Sequence, residues 1–280
     1  MPIDPDHLMS YNIAPVTQTY TERDAALYAL SLGIGQDPLD RVALCFVGGS
    51  GPVAAFPSMP LVLGHPGFWL GRPDTGVDAV RLVHGEQSFE ILKPIAPSGV
   101  VTGTTRVVGL LDKGEGRGAL LYSEKELADD SGTVIARTQS TTFLRGDGGF
   151  GGSNTVARPA PEMPQTAPDL TVAIETRPEQ ALIYRWNGDD NPLHCDPDVA
   201  QKAGFERPIL HGLCTYGIAA RALMGAVFDW DPGGLSRMSG RFTAPVTPGD
   251  QLRVLIWMSG FFRVLRASDD RPVLDNGCFG

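Results

Sequence analysis

The apolar residues of this chain fall into two series of β-rich runs, and a helical segment precedes each series. In the first series, apolar and polar residues alternate between glycine-containing turns, which predicts long antiparallel strands with one polar face. The predicted strands of this series are 87–92, 100–111, 118–128 and 133–144. The predicted strands of the second series are 171–174, 236–244, 251–258, 261–267 and 272–278.

Capping signals predict where the helices begin and end. Thr21 precedes an acidic first turn, and Asp196 followed by Pro197 predicts the N-cap and first turn of a short helix that ends at Gly204. The predicted helices are 25–32, 178–185, 197–203 and 213–228, the last of which is long and apolar. The apolar run 42–47 predicts one more strand ahead of the first series.

The order of these elements occurs twice, at a spacing of about 150 residues, which indicates a duplicated α+β unit. Tyr28 in Ala-Leu-Tyr corresponds to Tyr184 in Leu-Ile-Tyr. Glycine and proline dominate the stretch between the halves, which predicts a linker. The predicted domains are a first repeat over 1–147, a linker over 148–169 and a second repeat over 170–280. A helix followed by four strands suits the hot dog fold, in which an antiparallel sheet wraps one long helix.

The densest cluster of ionisable residues lies on a turn of the second half. Two carboxylates, an amide and an imidazole occur there within six residues, namely Asp189, Asp190, Asn191 and His194. Gly188 and the Asn191-Pro192 step indicate the turn, because Asn-Pro favours turn initiation and disfavours helix before the proline. Ionisable groups on a loop between helix starts suit a functional site better than a core.

The chain resembles a known family over this stretch. The pattern Y-R-x-x-G-D-x-N-P-L-H-x-D-P from Tyr184, followed by G-F-x-x-P-I-L-H-G from Gly204, is similar to the hydratase motif of MaoC-like, (R)-specific (type 2) enoyl-CoA hydratases. The resemblance implies a double hot dog, with each repeat wrapped around a long helix. It also implies reversible hydration of trans-2-enoyl-CoA to (3R)-3-hydroxyacyl-CoA, as in fatty acid β-oxidation, without a cofactor or a metal.

The resemblance further implies roles for four residues. Asp189 and His194 correspond to the catalytic pair, Asn191 to their hydrogen-bonding neighbour, and the Gly212 amide to the contact with the substrate thioester. The equivalent turn of the first half contains Gln36, Asp37 and Asp40 but neither histidine nor asparagine. The first repeat therefore resembles a catalytically silent copy that houses the acyl chain.

The residues themselves support part of this chemistry. Hydration of a conjugated thioester needs a base for water, an acid for C2 and a stabiliser for the enolate-like oxygen. Asp189 and His194 are separated by a proline-containing turn, so their side chains can converge on one water. Gly212 opens the long helix, where unpaired backbone N–H groups meet the positive end of the helix dipole.

Other interpretations of these residues remain open. Asp189 and His194 would also fit a structural ion pair on a surface turn. His211 is predicted to be a structural hydrogen-bonding residue and His84 to be structural, while Asp190 is predicted to face solvent or to act as a cap. A metal site from His194, Cys195, Asp196 and His211 fits no familiar zinc spacing. The alternatives for function are a dehydratase of a specialised 3-hydroxyacyl thioester, a thioesterase, and a non-catalytic acyl-CoA-binding protein.

Composition narrows the class of partner. The chain has 280 residues, a formal net charge of −9 and no basic run, which argues against nucleic acid and anionic membranes as partners. No apolar run approaches the roughly 20 residues of a membrane-spanning helix, and the N-terminal residues resemble no signal peptide. Four scattered cysteines favour a reduced, cytoplasmic location. Open sheet edges in a double hot dog predict a homodimer, with an acyl-CoA as small-molecule partner.

Overall fold

The computed structural model describes residues 3–49, 51–151 and 160–280. Ten antiparallel strands form one sheet. The first five strands are β1 (Val16–Tyr20), β2 (Leu82–Ile91), β3 (Gly99–Asp112), β4 (Ala119–Asp129) and β5 (Val134–Leu144). The second five are β6 (Leu170–Glu175), β7 (Arg237–Phe242), β8 (Gln251–Trp257), β9 (Phe261–Arg266) and β10 (Arg271–Phe279). The two series of strands predicted from the sequence are therefore confirmed, and β1 is added to the first.

The strand order shows the duplication directly. It runs β1-β3-β4-β5-β2 through the first repeat and continues as β7-β10-β9-β8-β6 through the second, so the second half repeats the first in mirror order. The two half-sheets join where β2 pairs antiparallel with β7, from Glu86 opposite Arg241 to Glu90 opposite Arg237. This arrangement is the predicted double hot dog of the α+β class.

Within the described residues, five α-helices connect or line the sheet. They are α1 (Pro5–Met9), α2 (Glu22–Ser31), α3 (Gln180–Tyr184), α4 (Pro197–Lys202) and α5 (Gly212–Ala226). Ten of the fifteen residues of α5 are buried, and this helix packs against β6, β7 and β8. A side chain at Gly217 would overlap Leu32 of the first repeat, so the glycine allows α5 to approach α2 closely. The helix α5 is thus the centre of the second repeat.

The first repeat departs from the prediction that each repeat wraps a long helix. In the described part of the chain it contains no counterpart of α5. Short 3₁₀ turns occur instead, at Ala43–Phe46 and Met59–Leu61. The physical reason is the prolines at 52, 57, 60 and 66, since a proline inside a helix removes a hydrogen bond and clashes with the preceding turn.

The strand predicted over 42–47 is also wrong, because its centre is the 3₁₀ turn Ala43–Phe46. Asp40 stabilises the start of the turn by accepting a hydrogen bond from the Ala43 N–H at 3.1 Å. Phe46 is fully buried, with its ring edge-to-face on Phe56 at a centroid distance of 5.2 Å. A short apolar run does not show whether its residues follow the period of a strand or of a helix. In the run 42–47, tertiary packing determined the conformation.

The interior joins the two repeats. Tyr28 of α2 and Tyr184 of α3 are both fully buried, with ring centroids 6.3 Å apart. Gln180 donates a hydrogen bond to the Ser31 carbonyl at 3.0 Å. The predicted linker 148–169 includes residues 152–159, which lie outside the described residues, so the domain boundaries stay a prediction. Across the described chain, no helix combines the length and apolar character needed to cross a membrane.

Candidate active site

A left-handed glycine and an asparagine cap shape the predicted turn. Helix α3 runs into a 3₁₀ turn at Arg185–Asn187 that ends at Gly188, whose φ of 103° lies in the region that favours glycine. The Asn191 side-chain oxygen then accepts a hydrogen bond from the Leu193 N–H at 3.1 Å and caps a second turn, Pro192–His194. These two local devices present Asp189 and His194 from opposite ends of one short segment.

His194 is held in a defined tautomer. Its Nδ1 lies 2.9 Å from the Ile209 carbonyl oxygen, and a carbonyl only accepts, so Nδ1 carries the proton. Burial lowers the pKa of His194, and this effect exceeds the opposing ones of the Ile209 bond and the Asp189 charge. The ring is therefore neutral at pH 7, and its Nε2 is left as an unprotonated acceptor that can bind or deprotonate a water.

Asp189 completes the pair that the sequence predicts. Its carboxylate is half-buried and accepts a hydrogen bond from the Asn191 N–H at 3.3 Å. One carboxylate oxygen of Asp189 and one nitrogen each of His194 and His211 lie within 4.8 Å of one another. A single water can therefore contact both Asp189 and His194, as acid/base chemistry requires.

His211 is the site residue that the sequence analysis leaves out. Its ring stacks on that of His194, with centroids 3.8 Å apart and planes inclined by 30°. Its Nε2 donates to the Asp189 backbone carbonyl at 3.2 Å, so the predicted structural hydrogen bond exists, within the site itself. Burial, and next the neighbouring His194, lower the pKa of His211 to about 4. The histidine of the P-I-L-H-G segment was the available signal for this position.

Gly212 provides the helix-start amide. The first hydrogen bonds of α5 run from the N–H groups of Cys214 and Thr215 to the His211 carbonyl, both at 3.1 Å. The N–H groups of Gly212 and Leu213 precede those bonds and point out of the positive end of the helix. An ideal Cβ at Gly212 would lie 3.3 Å from the Phe242 ring, so glycine keeps the approach to these amides open.

The remaining residues of the cluster have structural functions. Asp196 accepts hydrogen bonds from the Asp198 and Val199 N–H groups, which confirms it as the N-cap of α4. Asp190 is exposed, as predicted. Cys214 is fully buried, and burial raises the pKa of its thiol well above the ordinary value, so this cysteine is no nucleophile.

By distance, Asp189, His194 and His211 could also hold a divalent metal ion. Two imidazoles and a carboxylate are a donor set that such ions accept. The acid/base chemistry that these residues support does not require the ion, and the absence of a resident metal stays a prediction.

A cavity of about 180 Å³ opens beside the pair and receives side chains from both repeats. Asp189 and Leu213 contribute from the second repeat, and His65, Trp69 and His84 from the first. His84 donates to the Glu86 carbonyl at 3.2 Å and packs against Phe242 at a centroid distance of 4.8 Å. The junction between the repeats thus provides the space beside the reacting groups.

A carboxylate and an imidazole within 4.8 Å of each other, beside helix-start amides and a cavity between two hot dog repeats, suit an enzyme that works by acid/base chemistry. A family model described as MaoC like domain matches residues 159–271, and one described as MFE-2 hydratase 2 N-terminal domain matches residues 18–146. The chain therefore belongs to the MaoC-like hydratase and dehydratase family, and it is a hydro-lyase.

Individual relatives agree with this assignment. The chain is 37% identical to "Enoyl-CoA hydratase ChsH3" of Mycobacterium tuberculosis, over 99% of this chain and 96% of that protein. It is 38% identical to "Enoyl-CoA hydratase 2, peroxisomal" of Arabidopsis thaliana, over 91% and 87% of the two chains. The crystal structure of a MaoC-like dehydratase from Phytophthora capsici matches with a TM-score of 0.86 and 32% identity, over 98% and 97% of the chains.

Proposed function

We propose that this hydro-lyase adds water reversibly to trans-2-enoyl-CoA and forms (3R)-3-hydroxyacyl-CoA, the hydration step of fatty acid β-oxidation, without a cofactor. The observation that supports it best is the neutral His194 with its free Nε2 next to the Asp189 carboxylate, which lines a cavity. The names of the two relatives support the reaction, and "hydratase 2" supports the 3R product.

In the forward direction, one water donates one hydrogen to the Asp189 carboxylate and the other to His194 Nε2. The pair takes a proton while the water oxygen bonds to C3, and the C2=C3 electron pair moves toward the thioester. The Gly212 N–H, at the positive end of α5, stabilises the enolate-like oxygen. The pair then returns a proton to C2, so atoms and charges balance. Because the two groups are coupled, only pKa values of the pair describe its titration.

Asn191 acts in this proposal through the turn. Its side-chain oxygen is used as the cap, which leaves its two amide hydrogens to contact the water or the thioester. The first repeat supplies the acyl pocket and no acid/base pair of its own. The runner-up function is dehydration of a specialised 3-hydroxyacyl thioester, which uses the same residues in the reverse direction.

Oligomeric state and location are part of the proposal. Strands β1 and β6 lie at the two ends of the described sheet, and exposed strand edges favour pairing with another copy, so we expect a homodimer. None of the four cysteines forms a disulfide within the described residues, which fits a reduced cytoplasm. The Arabidopsis relative is named peroxisomal.

The test of the reaction measures loss of conjugated-enoyl absorbance with crotonyl-CoA and a longer trans-2-enoyl-CoA, followed by chiral analysis of the product. Asp189→Asn and His194→Ala should each lower kcat by about 10²–10⁴-fold, the usual contribution of a positioned acid or base. Asp190→Asn is the matched control, because it removes an exposed carboxylate from the adjacent position.

A 3R product whose formation is lost in the two site variants and kept in the control would support the reaction and the site together. Folded wild-type protein that hydrates neither substrate would favour the specialised dehydratase. Full activity in both site variants would show that the acid/base pair lies elsewhere.

A further inference from the structure

One wall of the cavity that Asp189 lines is formed by the inner faces of β2, β3, β4 and β5, and it is polar where a core is expected. Cross-strand pairing places six polar residues in two adjacent rows, with Thr105 opposite Lys125 and Lys125 opposite Thr138 in one row. In the next row, Ser123 pairs with Ser140, and Ser140 with Gln87 of β2. These residues form the polar belt: Gln87, Thr105, Ser123, Lys125, Thr138 and Ser140, all of which line the cavity.

The polar belt interrupts an otherwise apolar face. Leu121 and Leu127, the inward residues of β4 on either side of it, are fully buried and belong to two separate hydrophobic clusters. Five members of the belt are less than a tenth exposed. Polar residues at inward strand positions oppose the pattern that builds a core, and each needs a hydrogen-bond partner to offset its burial.

Most of the belt is partnered within the protein. Lys125 Nζ donates to the carbonyl oxygens of Pro60 at 2.8 Å, Leu61 at 3.3 Å and Leu63 at 2.5 Å. The hydroxyls of Ser123 and Ser140 lie 2.8 Å apart. Gln87 Nε2 donates to the Ser88 and Gln139 carbonyls, both at 2.9 Å. These bonds hold the residues in place at the cavity wall and occupy the hydrogens of Lys125 Nζ and Gln87 Nε2.

Thr105 differs from its neighbours. Its side chain is only 9% exposed, and its hydroxyl has no hydrogen-bond partner among the described residues. It lies directly opposite Lys125 in the sheet. A buried hydroxyl without a partner is unfavourable, so at a cavity wall it indicates a partner that arrives with the ligand.

The charged group of the belt, Lys125, also indicates a ligand that contains an electronegative atom. Three carbonyl acceptors around Lys125 Nζ match the three hydrogens of an ammonium group, while burial lowers the pKa of Lys125 to about 7. Among the described residues that line the cavity, the carboxylate is Asp189, which the proposed reaction already uses. An electronegative group near Lys125 would stabilise its charged form.

We propose that the acyl chain accepted at this site is short and contains an oxygen that accepts a hydrogen bond from Thr105 beside Lys125. This inference rests on the proposed function, with the thioester at Asp189 and the chain directed toward the belt. The cavity volume of about 180 Å³ is below the roughly 300–1,000 Å³ of sites for drug-sized ligands, and it fits a short chain.

The test compares kcat/KM for three thioesters of equal chain length: trans-2-hexenoyl-CoA and its ω-hydroxy and ω-carboxy counterparts. Wild type should prefer at least one oxygenated chain by about tenfold, the effect of one good hydrogen bond. Thr105→Val removes the hydroxyl at nearly constant volume and should move this ratio toward one. Thr104→Val, on the exposed face of the same strand, should keep the wild-type ratio.

A preference for the carboxylate alone would identify Lys125 as the main attraction, and equal preference for the hydroxyl chain would identify the Thr105 hydrogen bond. A wild-type enzyme that uses the plain chain as well as the oxygenated ones would overturn the inference and leave the hydratase function intact, with water filling the belt. Equal ratios in Thr105→Val and wild type would also overturn it. Hydration of none of the three would overturn this inference, and the hydration assay with crotonyl-CoA and the longer chain would then show whether the proposed function fails as well.

Discussion

The buried His211 makes the stability of this protein depend on pH in a way that can be calculated. The pKa of His211 is lowered from 6.5 to about 4, first by burial and then by His194, while Asp189 acts in the opposite direction. The His211 imidazole is therefore protonated less readily in the folded state than in the unfolded state. The contribution of His211 to the free energy of unfolding is fully present above pH 6.5. It decreases as the pH falls from 6.5 toward 4, and it changes no further below pH 4.

The magnitude follows from the pKa difference. At 1.36 kcal/mol per pKa unit, a pKa of about 4 in place of 6.5 corresponds to about 3 kcal/mol of unfolding free energy. The matched variant is His211→Gln, whose amide can still donate to the Asp189 carbonyl that His211 Nε2 contacts at 3.2 Å. Glutamine does not titrate, so the variant lacks the protonation equilibrium of His211 but keeps the hydrogen bond to the Asp189 carbonyl.

Urea unfolding of wild type and His211→Gln at a series of pH values between 7 and 4 measures the effect. Titrating groups outside the His211 and His194 cluster are common to both proteins and cancel in the difference. Wild type should lose about 3 kcal/mol more than the variant across this range. Parallel stability curves for the two proteins would refute the reasoning, because they would mean that His211 titrates alike in the folded and unfolded states.

Three further predictions concern activity. Because burial lowers the pKa of His194 and its free Nε2 must be unprotonated, kcat/KM should decline on the acid side with a midpoint below pH 6.5, as a pH–rate profile would show. Gly212→Ala should fold, with Phe242 shifting slightly, yet lose at least about tenfold in kcat as its methyl group crowds the helix-start amides. Dialysis against EDTA should leave the hydration rate unchanged, whereas loss restored by a divalent metal would assign the Asp189, His194 and His211 cluster to an ion.

Local signals made most of the second repeat predictable. The Asp196 cap, the Asn191-Pro192 turn and the left-handed Gly188 act over two or three residues, so the chain contains all the information they need. Asp189 and His194 are brought together by that same short turn. The strands of both halves were predictable from the alternation of apolar and polar residues, because this alternation involves only neighbouring residues in the sequence.

The first repeat between 42 and 66 was not predictable in this way. Its short apolar runs are compatible with either strand or helix. The prolines and the burial of Phe46 favour the 3₁₀ turns that the structure contains. His211 is seventeen residues from His194 in the sequence, and only the packing of the α5 start against the turn stacks their rings.

The sequence by itself determined the duplicated order of strands, the capped turn and the placement of Asp189 and His194 on it, because caps, turns and periodicity are short-range effects. Only the tertiary structure decided what surrounds that pair. The pairing of β2 with β7 brings the two repeats into one sheet, so His65, His84 and the polar belt meet Asp189 across a single cavity. Contacts between residues far apart in the chain depend on strand register and helix packing, which no local pattern specifies.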